Sequence, residues 1–171
     1  MSGPAVLFSE AQIQTRVNAM ARAIAAAPAH PEILVPVLVG AFVFAADLAR
    51  ALSREGLDLP VEFLWLASYR DARVGGEVAV RAGAGDAVRG KTVLLVDGVL
   101  DHGHTLMKAR DLLFAAGAAA ITTAVVVDKR HATAPLRADF ACFTDVCNFI
   151  VGYGMDDAGC ARGLPYIARL D

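Results

Sequence analysis

Cysteine is scarce in this chain. The three residues, Cys142, Cys147 and Cys160, show no C-x-x-C spacing and cannot all pair internally, which excludes a disulfide framework and a thiolate zinc site and favours a reducing compartment. Charge of either sign is not in excess: 16 basic and 18 acidic residues leave a net charge of −2, so nothing points to nucleic acid as a partner. Long apolar runs are missing as well. The stretch from Ile33 to Ala46 is broken by Pro36 and Gly40, and that from Leu112 to Val127 contains Gly117, Thr122 and Thr123. Both fall short of the roughly 20 residues of a membrane-spanning helix. The N-terminus has no charged-then-apolar signal pattern, so a soluble, cytoplasmic protein with no membrane partner is expected. No G-x-G-x-x-G follows the first apolar strand, which argues against a generic dinucleotide-binding domain.

What the chain does have is apolar bulk. At 171 residues and 56 % hydrophobic composition, one domain, 1–171, with a sizeable core is expected. The pattern predicts a helix from Ser9 to about Ala27, a strand over Ile33–Leu38, a helix over Phe42–Ser53 and a strand over Val61–Ser68. A possible short strand follows at Glu77–Arg81, then a core strand over Val93–Val96 and a helix over Thr105–Ala116 closed by Gly117. Strands are predicted at Ile121–Val127, Phe140–Phe143 and Phe149–Tyr153. Strands alternating with helices predict an α/β fold, a mainly parallel central sheet flanked by helices. In such sheets ligands sit beyond the carboxyl ends of strands. That edge holds Gly40, Asp97 with Asp101, and Asp128 with Lys129.

The segment VLLVDGVLDHGHTL, residues 93–106, is the most informative. A buried strand reaches Asp97, and a short polar loop leads into a helix N-terminus, where unpaired N–H groups and the helix dipole suit a phosphate. An ordinary turn with Asp as helix cap would read the same way over this segment alone. A phosphate cradle needs no carboxylates. Asp97 and Asp101 therefore suggest a sugar hydroxyl, a Mg²⁺ ion, or a base whose proton must be moved. His102 and His104 flank Gly103; an H-x-H pair has transition-metal spacing, but His104 fits the first helical turn, and His102 lies near the phosphate or the solvent.

This segment resembles the phosphoribosyl-pyrophosphate (PRPP) motif of type I phosphoribosyltransferases, an apolar strand, two acidic residues, two apolar residues and D-T-G-x-T. Asp97, Val99, Leu100, Asp101, Gly103 and Thr105 match it. Over nearly the whole chain the sequence is similar to the purine-salvage branch, the hypoxanthine-guanine phosphoribosyltransferases. LVGAFVFAADLAR (38–50), VEFLWLASYR (61–70), VVVDKRH (125–131) and NFIVGYGMDDAGCARGLPYIARL (148–170) carry that likeness, the last being long and specific to the branch.

The resemblance implies Mg²⁺-dependent transfer of phosphoribose from PRPP to a 6-oxopurine, in a homodimer or homotetramer. Asp101 would be the catalytic acid/base facing N7 of the purine. Lys129 would bond the exocyclic oxygen, Phe149 would stack on the base, and the Ile150 backbone would read its edge. Asp97 would meet the ribose hydroxyls, with His102, Gly103, His104 and Thr105 around the 5′-phosphate. Gly40 and Arg162 would lie at the pyrophosphate and Asp156 at the metal. Ser68 and Tyr69 would open a mobile cover over residues 70–90, and 140–171 would form hood strands over the base. Two positions depart from the family: Val39 replaces a lysine by the pyrophosphate, and Gly98 replaces the second acid, a loss of about 1.5–3 kcal/mol of binding for one charged hydrogen bond. Those departures favour a runner-up reading, a catalytically weak paralogue that senses PRPP or a purine nucleotide.

Overall fold

The computed structural model describes residues 5–68, 78–130 and 136–170; Tyr69, residues 70–77 of the predicted cover and His131 of the VVVDKRH segment lie outside them. The elements run β1 (Ala5–Phe8), α1 (Glu10–Ala25), β2 (Ile33–Leu38), α2 (Phe42–Arg54), β3 (Leu64–Ser68), β4 (Val78–Ala82), a 3-10 turn (Gly85–Val88), β5 (Thr92–Leu100), α3 (His104–Ala115), β6 (Ala120–Asp128), β7 (Phe140–Thr144), β8 (Phe149–Val151) and β9 (Ile167–Leu170). Six strands form one sheet in the order β4-β3-β2-β5-β6-β7, and β1-β9-β8 form a second, smaller one. Among the described residues only the β3–β4 pair of the large sheet is antiparallel. This is the mainly parallel α/β architecture expected.

Period-two alternation along the central strands divides the core. Leu34, Leu94, Val96, Ala124 and Val126 turn toward α1 and α2. Ile33, Val35, Val93, Leu95 and Val125 turn toward α3. Strands covered on both faces read as continuous apolar runs, which is why the sequence locates them well. Local chemistry sets the helix ends. Ser9 and Gln12 form a reciprocal capping box at the start of α1, which satisfies two orphan N–H groups. Gly117 lies just beyond α3 at φ +94°, where a Cβ would be strained.

Three expectations need correction. Asp97 does not end its strand: β5 continues to Leu100 because its parallel ladder with β6 persists through Asp97–Val125, Val99–Val127 and Leu100–Asp128. The polar loop is therefore only Asp101 to Gly103. The expected strand over Val61–Ser68 starts late: Val61 makes a single bridge to Leu34, and β3 begins only at Leu64. Of the segment expected as hood strands, β7 is the edge of the large sheet, whereas β8 pairs with β9, and β9 with β1. The terminal strands β1 and β9, four residues each, are too short to stand out in the sequence. Residues 78–88 of the expected cover form β4 and the 3-10 turn, and Val88 is fully buried. Among the described residues no helix is long and apolar enough to cross a membrane.

Candidate active site

The carboxyl ends of β2, β3, β5 and β6 open into a cavity of about 570 Å³ closed from above by β8 and the segment that follows it. Asp97, Asp101, Thr105, Lys129, Phe149, Ile150, Asp156, Arg162 and Gly40 all line it. Residues spread over 122 positions of sequence thus meet because parallel strands end on one edge. A second hollow of about 220 Å³ lies around residues 99–106 and includes His102, Gly103 and His104.

That hollow is the mouth of α3. Gly103 occupies the N-cap position at φ +86°, and among the described residues no side-chain hydrogen bond caps the helix. Asp101 is thus not a helix cap. Its carboxylate turns into the large cavity, where Oδ2 accepts from Lys129 Nζ at 2.9 Å and Oδ1 lies 3.1 Å from His102 Nδ1. The first N–H groups of α3 remain for a ligand, with the positive end of the dipole behind them. His102 is 67 % exposed at the side chain, and His104 is the exposed first residue of α3.

Lys129 follows β6, and its position depends on its neighbour. The Lys129 N–H donates to the Leu100 carbonyl at 3.0 Å. Buried Asp128 accepts from the backbone of Arg130 at 2.8 Å and Ala138 at 3.3 Å. These bonds hold the lysine loop against β5. Phe149 is half exposed at the cavity wall, whereas Ile150 beside it is buried, so an aromatic face stands open beside fixed backbone.

The opposite end holds Arg162 and Asp156, paired at 2.7 Å between Nη2 and Oδ1. Arg162 Nη1 also donates to the Gly154 carbonyl at 2.7 Å. Asp156 Oδ2 accepts from the Gly159 N–H at 2.7 Å. Among the described residues no group of three or more ligating side chains could cage a metal by itself. Mg²⁺ is commonly held by one or two carboxylates together with substrate phosphate oxygens. A hard oxygen donor such as Asp156 fits this ion better than a transition metal.

Asp97 is half-buried between the two ends and accepts from the Gly98 N–H at 2.7 Å. Desolvation pushes its carboxyl up to about 7 from an ordinary 3.8, and the Gly98 bond opposes that shift.

The phosphoribosyl transferase domain family matches residues 9–158, and the hypoxanthine-guanine phosphoribosyltransferase of Aquifex aeolicus is 34 % identical over 170 residues, 97 % of this chain and 94 % of that one. The chain belongs to the hypoxanthine-guanine phosphoribosyltransferases. The hypoxanthine phosphoribosyltransferase of Escherichia coli strain K12 is 31 % identical over 172 residues, 96 % of this chain and 94 % of that one. The structure of the Trypanosoma cruzi hypoxanthine phosphoribosyltransferase in complex with the product IMP superposes with a TM-score of 0.88 at 30 % identity, covering 100 % of this chain and 97 % of that one.

In this phosphoribosyltransferase the sequence pointed to nine residues of the large cavity and to His102, Gly103 and His104 of the smaller one. Ser68 is the last residue of β3, and Tyr69 is not described. Sequence reasoning missed Trp65, Arg81 and Met155, which also line the cavity. Arg81 lies 5.3 Å from the Trp65 ring centroid, a contact between β3 and β4 that only strand pairing creates. The structure also explains Gly98. A Cβ there would sit 3.1 Å from the Gly40 carbonyl oxygen and 3.5 Å from Met155 Cγ. The missing acid is therefore a filled place. Gly98→Asp gains a charged acceptor but crowds the Gly40 turn, and overpacking costs about 1–3 kcal/mol. We expect Gly98→Asp and Gly98→Ala to lower Tm alike, and only the aspartate to tighten PRPP, by less than about tenfold. Calorimetric binding and thermal melts check this; a tightening of about a hundredfold with no loss of Tm would refute the crowding.

Proposed function

We propose that the chain transfers phosphoribose from PRPP to hypoxanthine or guanine, releasing pyrophosphate and forming IMP or GMP in purine salvage in the cytoplasm. One observation carries this most: a single carboxylate, Asp101, stands between the lysine of a base pocket and the uncapped N-terminus of a phosphate loop.

Each residue has work that follows from its place. The 5′-phosphate sits on the N–H groups around Gly103, His104 and Thr105, with His102 at its edge. The ribose hydroxyls meet Asp97. The purine stacks on Phe149, its edge faces the Ile150 backbone, and its exocyclic oxygen accepts from Lys129. Arg162 and the Gly40 turn hold pyrophosphate, and Asp156 is the residue that would hold Mg²⁺, whose charge would stabilise the leaving group. As the purine nitrogen attacks C1′, the C1′–O bond to pyrophosphate breaks with its electron pair, and Asp101 accepts the purine's proton. Ser68, with Tyr69 and the cover that follows, is assigned to excluding water during turnover. The whole chain, 1–171, acts as one domain with a hood formed by β8 and β9 together with the N-terminal β1. Exposed Val61 and Phe63 support a homodimer or homotetramer.

Gly98 and Val39 favour a second reading, a PRPP or nucleotide sensor with weak catalysis. A steady-state assay with PRPP, Mg²⁺ and each of hypoxanthine, guanine and adenine separates the two. We expect turnover with the 6-oxopurines and a kcat/KM for adenine lower by about 100-fold or more, because Lys129 would meet a second donor, the exocyclic amine, where a 6-oxopurine offers a carbonyl acceptor. Binding of PRPP with no turnover of any base would establish the sensor instead.

A further inference from the structure

Behind the cavity lies a polar contact with no direct part in the chemistry. The Tyr153 hydroxyl donates to Asp47 Oδ2 at 2.6 Å, across 106 positions of sequence. Asp47 lies on α2, and its carboxylate also accepts from Gln14 Nε2 of α1 at 3.1 Å and pairs with Arg50. Tyr153 is buried, at φ +51°, a left-handed conformation unfavourable for a bulky residue. Burial pushes its phenol above the ordinary range, and the hydrogen bond to Asp47 and that residue's charge add to the effect, so Tyr153 remains a proton donor at neutral pH.

Both ends of this contact lead to the pyrophosphate end of the site. Tyr153 sits in a turn closed by reciprocal 3.0 Å bonds between Gly152 and Met155. The next residues are Met155 and Asp156. The turn is tied to Arg162 twice: the Gly154 N–H donates to the Arg162 carbonyl at 2.9 Å, and the Arg162 guanidinium returns to the Gly154 carbonyl. Asp47 belongs to the helix that begins immediately after the Gly40 turn. The two turns touch, since a Cβ on Gly154 would lie 2.4 Å from the Gly40 carbonyl oxygen. Glycine at 98 and at 154 leaves room for the Gly40 carbonyl, and the Asp47–Tyr153 bond spans the approach from behind.

We propose that Asp47 and Tyr153 are positioning residues that hold the Asp156–Arg162 segment against the Gly40 turn at the spacing needed to grip pyrophosphate. The inference rests on the assignment of that end of the cavity to pyrophosphate. The purine end, built on β6 and β8, is outside the strap. Removing the strap should therefore loosen pyrophosphate and PRPP and leave the purine and its nucleotide alone.

Tyr153→Phe is the test, because it removes one oxygen, keeps the ring, and leaves Asp47 its bonds to Gln14 and Arg50. The KM for PRPP and the Kd for pyrophosphate should rise by about tenfold. The KM for hypoxanthine and the Kd for IMP should stay within about twofold of the wild type. Asp47→Ala should reproduce the pattern, Asp47→Asn should restore most of the affinity, and the double variant should be no worse than either single variant. If PRPP and IMP weaken together in step with a falling Tm, the contact is only structural and the proposal fails. An unchanged PRPP KM in a folded Tyr153→Phe protein also overturns it. Wild-type protein that turns over no PRPP and binds no pyrophosphate would instead refute the underlying assignment of the site.

Discussion

Asp101→Asn should lower the rate of the chemical step with hypoxanthine by about 10²–10⁴-fold, the range for loss of a positioned acid/base. Asparagine is nearly isosteric, and its side-chain oxygen still accepts from Lys129, whose bond to Asp101 is 2.9 Å. What disappears is the capacity to take the purine's proton as the nitrogen attacks C1′. The KM values for PRPP and hypoxanthine should therefore change by less than about tenfold while kcat collapses, the mark of an interaction made only in the transition state. Single-turnover measurement is the suitable readout, because release of product can mask chemistry in kcat. Asp101→Ala should be at least as slow and should also weaken hypoxanthine binding, since Lys129 is only 9 % exposed at its side chain and would lose its counter-ion. A variant that retained more than about a third of the wild-type single-turnover rate would remove Asp101 from the catalytic role.

The second large effect concerns Asp97 and pH. Desolvation raises its folded pKa to about 7 from an ordinary 3.8. The fold therefore binds this proton more tightly than the unfolded chain does. The resulting stabilisation is fully present below about pH 4, declines as pH rises, and is lost above about pH 7. Across that window the loss is about 2–4 kcal/mol. Asp97→Asn carries no charge at any pH and can accept the same Gly98 N–H bond through its amide oxygen. Its Tm should match the wild type at about pH 4 and exceed it by several degrees at about pH 8. PRPP affinity should move the opposite way. An ionised Asp97 accepts the ribose hydroxyls more strongly, so wild-type affinity should rise as pH passes through about 7, whereas the variant's should show no such step. At about pH 8 the variant should bind PRPP about 10–100-fold more weakly. Parallel pH profiles for the two proteins, in melting and in binding, would show that Asp97 does not titrate in this range.

The same strand shows how far local pattern carries. Val93 to Val96 announce themselves as a buried strand through uninterrupted apolar character. Nothing local says that the strand continues beyond Asp97, because Asp97, Gly98 and Val99 are held by pairing with β6 and not by their own propensities. Gly98 makes a sharper case. In the sequence it is a missing acid; in the fold a Cβ there would lie 3.1 Å from the Gly40 carbonyl oxygen, which would have to give by a few tenths of an ångström. The hood is hidden in a similar way. Its middle strand, β9, is four residues long and becomes a strand only between β1 and β8, which come from opposite ends of the chain.

The sequence by itself determined the order of the central strands and helices and the parallel character of the sheet, which follow from hydrophobic periodicity and capping chemistry acting over a few residues. Nine of the residues that line the cavity were legible only through the motifs that carry the family resemblance. The tertiary structure alone decided that Lys129 faces Asp101, that burial lifts the Asp97 carboxyl, that Asp156 pairs with Arg162, and that Asp47 reaches Tyr153. Each of those depends on which distant segments are brought within hydrogen-bond distance and how much water they exclude, quantities set by register and close packing rather than by any local run of residues.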